Sequence, residues 1–541
     1  MLPLKTFRHT ARGLPDLLNW AAVIDDGVVL GKDGALMAGW FYRGEDLASA
    51  TPEEKAGVSA KLNAALAPLG SGWMAHIDGI RLPSQHYPDT SRSCFPDPIT
   101  RHIEAERRRQ FEAEGEHYES AYALILTYLP PSTRQSKLAA AMYDDDGAPS
   151  TTKLGSKTLA QFKHHLGEVE AKLSGALRLE RLRGHEVEDE WGGRHVQDQL
   201  LQYLHATLSG RNHPINLPPC PMYLDHVIGG HELWTGITPK IGNQFIAVVA
   251  LDGFPHESTP GMLDILDQLP LSYRWSTRFI FLDTSEAISH LKAFRRKWQQ
   301  KVKPFTDQIF RTNKGVVDMD ALSMVADTED AVAEAASQLV SYGYYTPVIV
   351  LMDPDRALLE DSARFVFKEL SNQMGFSCRV ETINTVEAWL GSLPGHSAPN
   401  IRRPLLHTLN LADLLPLASI WPGRDTNPCP FYPPESPPLL HANTQGSTPF
   451  RLNLHVGDVG HTMIFGPTGA GKSTLLGLLA AQFRRYRGAT VFCFDKGKSM
   501  YPLTQAVGGS HFDVAGDSAQ LQFCPLPTST QAANSRGPPN G

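Results

Sequence analysis

Residues Thr462 to Tyr486 constrain this chain most. A short apolar run (Met463, Ile464, Phe465), the turn G-P-T-G-A-G-K-S-T and an apolar-periodic stretch with Leu475, Leu476, Leu479 and Phe483 follow one another. This order predicts a strand, a loop and a helix. The spacing Gly466-x-x-x-x-Gly471-Lys472-Ser473 is that of a phosphate-binding loop, and each residue type has a task in it. Gly466, Gly469 and Gly471 permit backbone conformations barred to other residues and let successive N–H groups approach phosphate oxygens. Pro467 stiffens a turn position that needs no donor. The helix starting near Lys472 points its positive end at the same anion. Lys472 is therefore the expected catalytic, phosphate-binding lysine, and the Ser473 hydroxyl the expected ligand of Mg2+. Gly466, Pro467, Thr468, Gly469, Ala470, Gly471, Lys472, Ser473 and Thr474 make up the expected ATP cradle. A glycine turn without a ligand would not account for the strand before it and the helix after it.

At 541 residues the chain is long enough for about three domains, each with its own core. With 57 acidic against 50 basic residues the net charge is −7, which gives no global attraction to nucleic acid or anionic lipid. The six cysteines lie far apart without a C-x-x-C pair, which argues against a zinc site or a disulfide framework and fits a reducing cytoplasm. No stretch approaches the roughly 18 apolar residues of a membrane span. Membrane attachment is thus expected to be peripheral or through partners.

From the N-terminus, Lys32-Asp33-Gly34 between two apolar runs predicts a β-hairpin, and Thr51 with Glu54 predicts a capping box opening a helix. Further strands are expected at 73–80 and 122–129, flanking a charged helix at 99–114. This pattern defines an N-terminal α+β module over 1–131. The arginines Arg107, Arg108 and Arg109 read as a solvated face. A polar loop (132–156), helices at 159–183 and 195–208 and apolar strands at 244–251, 278–282 and 347–352 make a middle α/β region over 157–420. Its helix Lys292–Lys303 is basic around an apolar stripe of Leu291, Phe294, Trp298 and Val302, which fits an exposed helix and leaves DNA or lipid contact as the alternative. Asp283 and Asp353 each end an apolar strand but precede the phosphate loop in the chain, so neither is expected to be a Walker B carboxylate. Prolines crowd a connector at 421–439. The P-loop domain is expected over 440–526, with a second strand at 490–494 leading into Asp495-Lys496-Gly497-Lys498-Ser499.

At Gly466–Thr474, at Phe494-Asp495-Lys496-Gly497-Lys498-Ser499-Met500 and in the stretch Leu14–Gly34, the chain resembles conjugative transfer ATPases of the TrbE type, a branch of the type IV secretion ATPase family shared with CagE proteins. The resemblance reaches from Leu14 to about Pro525. It implies α/β and α+β multidomain architecture, in which an N-terminal docking region precedes a RecA-like motor. Complete members assemble with other secretion subunits, usually as hexamers at the cytoplasmic face of the inner membrane, and support pilus assembly and plasmid DNA transfer by ATP hydrolysis. By this resemblance Lys472 matches the phosphate-binding lysine, Ser473 and Thr474 the hydroxyl pair, and Asp495 the acidic residue ending the second strand; a capping role for Asp495 is the alternative.

Family members continue well beyond the F-D-K segment, with a Walker B strand, a glutamine-bearing motif and an arginine that reaches a neighbouring subunit. None of these follows Asp495 here, and Pro527–Gly541 has the composition of a disordered tail. The expectation is a frameshifted, incomplete RecA-like domain that binds ATP and hydrolyses it poorly. The alternative function is a nucleotide-sensing or structural assembly subunit without turnover.

Overall fold

The computed structural model describes residues 13–513 except 48, 85–86, 131–148, 190–191, 219–221, 256–257, 303–327, 330, 374, 401–403 and 445. The chain divides into two compact units. The first takes Met1–Ser84, His117–Trp421 and Gln445–Thr448; the second takes Gln85–Glu116, Pro422–Thr444 and Pro449–Gly541. The anticipated tail, the end of the basic helix at Lys303 and most of the polar loop lie outside the described residues.

The first unit is built on one antiparallel sheet. Its strands are β1 (Trp20–Asp25), β2 (Val28–Gly31), β3 (Leu36–Arg43), β4 (Trp73–Pro83), β5 (Tyr118–Tyr128), β6 (Arg178–Arg181), β9 (Leu233–Trp234), β10 (Lys240–Ile241), β11 (Gln244–Gly253), β12 (Tyr273–Phe281), β13 (Tyr342–Asp353), β14 (Ser377–Val380) and β15 (Leu405–His407). Between them β7 (Gly184–Glu188) and β8 (Arg194–Asp198) form a separate ribbon. The main path runs β1-β2-β3-β5-β4-β12-β13-β11-β10-β9, with β6 on β3, β14 on β11 and β15 on β13.

Alternate residues of each long strand enter two different cores. Leu124 and Leu126 belong to one, Ala123 and Ile125 to the other; Ile349 and Leu351 likewise oppose Val348 and Val350. The first face is covered by Pro52–Leu66, Pro149–Leu173 and Arg356–Gln373, through Leu62, Phe162, Leu166, Leu359 and Val366. The second is covered by Gln199–Ser209 and Thr385–Gly391, through Leu200, Leu204 and Trp389. With both faces buried, the strands read as continuous apolar runs, which is why the sequence suggests an α/β middle region. The ladder is antiparallel throughout, and the stretches expected as a 1–131 module and a 157–420 region share this one sheet, joined where β4 pairs with β12.

Local signals hold where chemistry is explicit. Gly34 has φ +84° in the Asp-Gly turn joining β2 to β3, and Thr51 and Glu54 close both bonds of the capping box. The expected helix at 195–208 instead begins as β8; the Asp198 carboxylate accepts from Leu201 N–H at 2.9 Å and starts the helix one residue later. The helix expected to run to 183 ends at Leu173, and β6 follows.

The second unit holds β16 (Leu440–Asn443) paired antiparallel with β17 (Pro449–Leu452), the helix Lys472–Phe483 and the helix Pro98–Ala113. Its core joins Leu439, Leu440, Leu479 and Tyr486 to Tyr432, Ile464 and Phe483. The proline-rich 421–439 stretch carries neither helix nor strand, yet it is no free connector. Asn427 donates to the Tyr486 hydroxyl at 3.0 Å, and the Tyr432 ring lies 4.6 Å from that of Tyr486.

Two expectations for this unit are corrected. Residues 463–465 and 490–494 are not strands. Among the described residues neither run has a ladder partner, and Phe465, Phe492 and Phe494 stand 81%, 83% and 102% exposed. A strand requires a neighbour to take its N–H and C=O groups, and apolar patterning alone does not supply one. The charged helix, expected in the N-terminal module, belongs to this second unit. Of the arginines read as its solvated face, Arg109 is exposed and paired with Glu106, whereas Arg107 donates to the His441 carbonyl and Arg108 lies 4.8 Å above the Tyr87 ring.

Candidate functional site

The loop 466–471 passes into the helix Lys472–Phe483 through two left-handed glycines, Gly469 at φ +85° and Gly471 at φ +82°. These angles are costly for any residue with a Cβ. Gly466 differs from the sequence expectation: its φ is not positive, and a Cβ there would touch Ala470 and Lys472 only at 3.6–3.7 Å. Gly471 is the helix N-cap and offers no side chain, so the first-turn N–H groups point into the loop without a side-chain acceptor. Ser473 and Thr474 are exposed, and Leu479 anchors the helix in the core.

Lys472 reaches back over the loop. Its Nζ donates to the Gly466 carbonyl at 2.8 Å and the Pro467 carbonyl at 2.7 Å. The ammonium is thereby held at the mouth of the turn beside the uncapped helix start. A lysine charge, first-turn N–H donors and two hydroxyls at one helix N-terminus make a polyanion site whose donor set fits a nucleotide phosphate chain with Mg2+.

Asp495 is engaged elsewhere. Its Oδ1 accepts from Gly497 N–H at 2.9 Å, and its Oδ2 from Met500 N–H at 2.8 Å and the Ser499 hydroxyl at 3.0 Å. The Met500 N–H, with those of Gly497 and Ser499, holds the carboxyl below the usual range against a small opposing effect of burial. Both oxygens close the turn 495–500, which is the capping role. Asp283 and Asp353 lie in the first unit, where they accept from Ser71 N–H at 2.9 Å and Asp355 N–H at 2.7 Å. Among the described residues no cluster of three or more His, Cys, Asp or Glu side chains could hold a metal ion.

Sequence reasoning missed the other end of the same helix. Arg485, fully buried, donates from Nη2 to Glu104 Oε1 at 2.8 Å and to Gln482 Oε1 at 3.0 Å. Its partner lies 381 residues earlier, beyond the reach of any local spacing rule.

Residues 27–136 match the family described as "Type IV secretion system ATPase VirB4/TrbE, N-terminal domain", and residues 193–402 match the "CagE, TrbE, VirB family, component of type IV transporter system". The chain is 51% identical over 533 residues to the conjugal transfer protein TrbE of Rhizobium radiobacter, covering 97% of itself and 64% of that protein. It is also similar to two probable conjugal transfer TrbE proteins of Sinorhizobium fredii. To one it is 46% identical over 136 residues, covering 25% of itself and 91% of that protein; to the other it is 55% identical over 370 residues, covering 68% of itself and 55% of that protein. The chain thus spans somewhat less than two thirds of the length of the Rhizobium relative.

Proposed function

Since the chain belongs to the TrbE/VirB4 branch of the CagE, TrbE, VirB family, we propose that it is an ATP-binding subunit of a conjugative type IV secretion system, with residues 466–474 as its nucleotide site. The observation that carries this reading is the convergence at one uncapped helix start of Lys472 Nζ, the left-handed pair Gly469 and Gly471, and the Ser473 hydroxyl. Lys472 exchanges its two carbonyl partners for phosphate oxygens, the first-turn N–H groups cradle the same phosphates, and Ser473 holds Mg2+. Bound Mg2+ supplies charge neutralisation between the phosphates.

The second unit is, on this reading, the RecA-like part of a homo-oligomeric motor that docks with other secretion subunits at the inner membrane. No helix among the described residues is long and apolar enough to cross a membrane. DNA contact belongs to the same proposal and is assigned to no residue. A second reading, nucleotide binding without turnover, is favoured by Asp495, whose two oxygens are committed to the turn that follows it.

Photolabelling with azido-ATP followed by peptide mapping tests the site. Label is expected in peptides spanning 462–486, competed by ATP and lost in Lys472→Ala. Labelling confined to other peptides would refute the assignment. Phosphate release above the Lys472→Ala background would eliminate the second reading.

A further inference from the structure

β4 and β5 pair along their whole length, from Trp73↔Tyr128 to Pro83↔Tyr118. Adjacent antiparallel strands are ordinarily closed by a short turn. Here the chain instead leaves the ladder at Ser84, runs through Gln85–Glu116 as part of the second unit, and returns beside its point of departure. Both ends of this excursion are covalently fixed to the large sheet.

The body of the excursion grips the far end of the P-loop helix. Arg484 and Arg485 follow that helix, and their carbonyl groups accept from Phe95 N–H at 3.1 Å and Cys94 N–H at 2.7 Å. The excursion thus caps, from outside, carbonyls that a helix end leaves without partners. Phe95, 4% exposed, is held at φ +34°, a left-handed conformation that a non-glycine residue keeps only when its surroundings over-determine it. The Arg485 guanidinium lies 5.5 Å over the Phe95 ring and donates to Glu104 at 2.8 Å; Arg484 meets Asp97, the N-cap of the excursion helix, at 3.5 Å. Backbone, ring and charge contacts therefore join one helix end to one segment. The helix carries Lys472 as its first residue, so its two termini report on each other as ends of one rigid element.

We propose that the excursion Gln85–Glu116 is a coupling element, in which Glu104, Cys94 and Phe95 hold the C-terminal end of the P-loop helix and thereby position Lys472 for nucleotide. The inference rests on the assignment of residues 466–474 as the nucleotide site and adds the element through which occupancy of that site is communicated to β4 and β5. Glu104 and Arg485 are positioning residues and touch no phosphate. By reciprocity, if the grip favours nucleotide, nucleotide strengthens the grip by the same factor.

The test uses the full chain, AMP-PNP with Mg2+, and hydrogen exchange of the 98–113 amides. Removing one partner would strand a buried charge, so the pair is replaced together as Glu104→Leu with Arg485→Met, an exchange that commonly preserves or raises stability. Arg109→Ala, on the exposed side of the same helix, is the control, and Lys472→Ala marks loss of the site. The expected result is slower exchange at 98–113 on adding AMP-PNP to wild type and to Arg109→Ala. In the double variant that slowing is lost and the dissociation constant rises about tenfold, with the melting temperature close to wild type. A purely structural pair would shift the melting temperature alone. Unchanged exchange at 98–113 in wild type that binds AMP-PNP overturns the coupling, as does a double variant with wild-type affinity and protection. Wild type that binds no AMP-PNP overturns the nucleotide site itself, and the coupling with it.

Discussion

His396 illustrates how a single side chain ties the chain to pH. It is 4% exposed, its Nε2 accepts from Asn19 N–H at 3.0 Å, and its Nδ1 lies 3.2 Å from the Pro394 carbonyl. This pairing selects the neutral tautomer protonated on Nδ1, because Nε2 must keep its lone pair. Burial lowers the imidazole to about 4. As pH falls below about 6.5, the unfolded chain takes up this proton while the folded chain does not, so stability declines towards pH 4 by up to about 1.4 kcal/mol per unit. Above about 6.5 the contribution is constant. Urea unfolding at pH 5 and 7 is expected to show a smaller difference for His396→Asn, which keeps an acceptor for Asn19, than for wild type; equal differences would contradict this. At Asp495, Asp495→Ala is expected to lose about 1 kcal/mol of local stability, as for other cap deletions, and to change nucleotide affinity less than twofold in an equilibrium titration. A tenfold loss would restore the carboxylate to the site. The turn chemistry that makes Asp495 a cap is legible in D-K-G-K-S, whereas the choice between cap and metal ligand depends on where its oxygens point, which sequence does not encode.

At the level of elements, the sheet of the first unit owes its stability to two buried faces. Leu126 and Ile125 are adjacent in β5, both fully buried, and belong to opposite cores. Leu126→Ala and Ile125→Ala are each expected to cost about 2–5 kcal/mol, measured by chemical unfolding. A strand with one solvated face would show the cost at only one of them. Elements whose signals are local were legible in the sequence: the Asp33-Gly34 hairpin, the Thr51/Glu54 box, the apolar strands β11, β12 and β13, and the loop and helix around Lys472. What failed depended on partners distant in the chain. Continuous apolar strands conceal whether a ladder is parallel, and the runs at 463–465 and 490–494 have strand composition without a ladder. The P-loop helix illustrates both cases. Its glycine-led start is a spacing pattern, while its Arg485 end is fixed by residues 94–104, which no periodicity connects to it. In Gly471→Ala, a Cβ must adopt φ +82°, so loop geometry and nucleotide affinity are expected to fall together, by about tenfold for the latter, at a strain of order 1–2 kcal/mol. Wild-type affinity in that variant would show that the left-handed cap is dispensable.

Across the whole molecule, the two units are not consecutive beads. The chain passes between them after Ser84, Glu116, Trp421, Thr444 and Thr448, and the short return Gln445–Thr448 is held within the first unit by Arg81, which donates to Ser447 at 2.6 Å. The large sheet and the P-loop unit therefore share chain at several points, a connectivity suited to a family whose N-terminal part docks into an assembly and whose C-terminal part binds nucleotide. The claim on which this account turns is that residues 466–474 bind ATP. Equilibrium titration of the full chain with Mg2+ and a fluorescent ATP analogue tests it most directly. The account predicts saturable binding that ATP competes away and that weakens roughly 10- to 150-fold in Lys472→Ala, the loss of charge-assisted bonds worth about 1.5–3 kcal/mol. Absence of saturable binding, or equal affinity in Lys472→Ala, would contradict it.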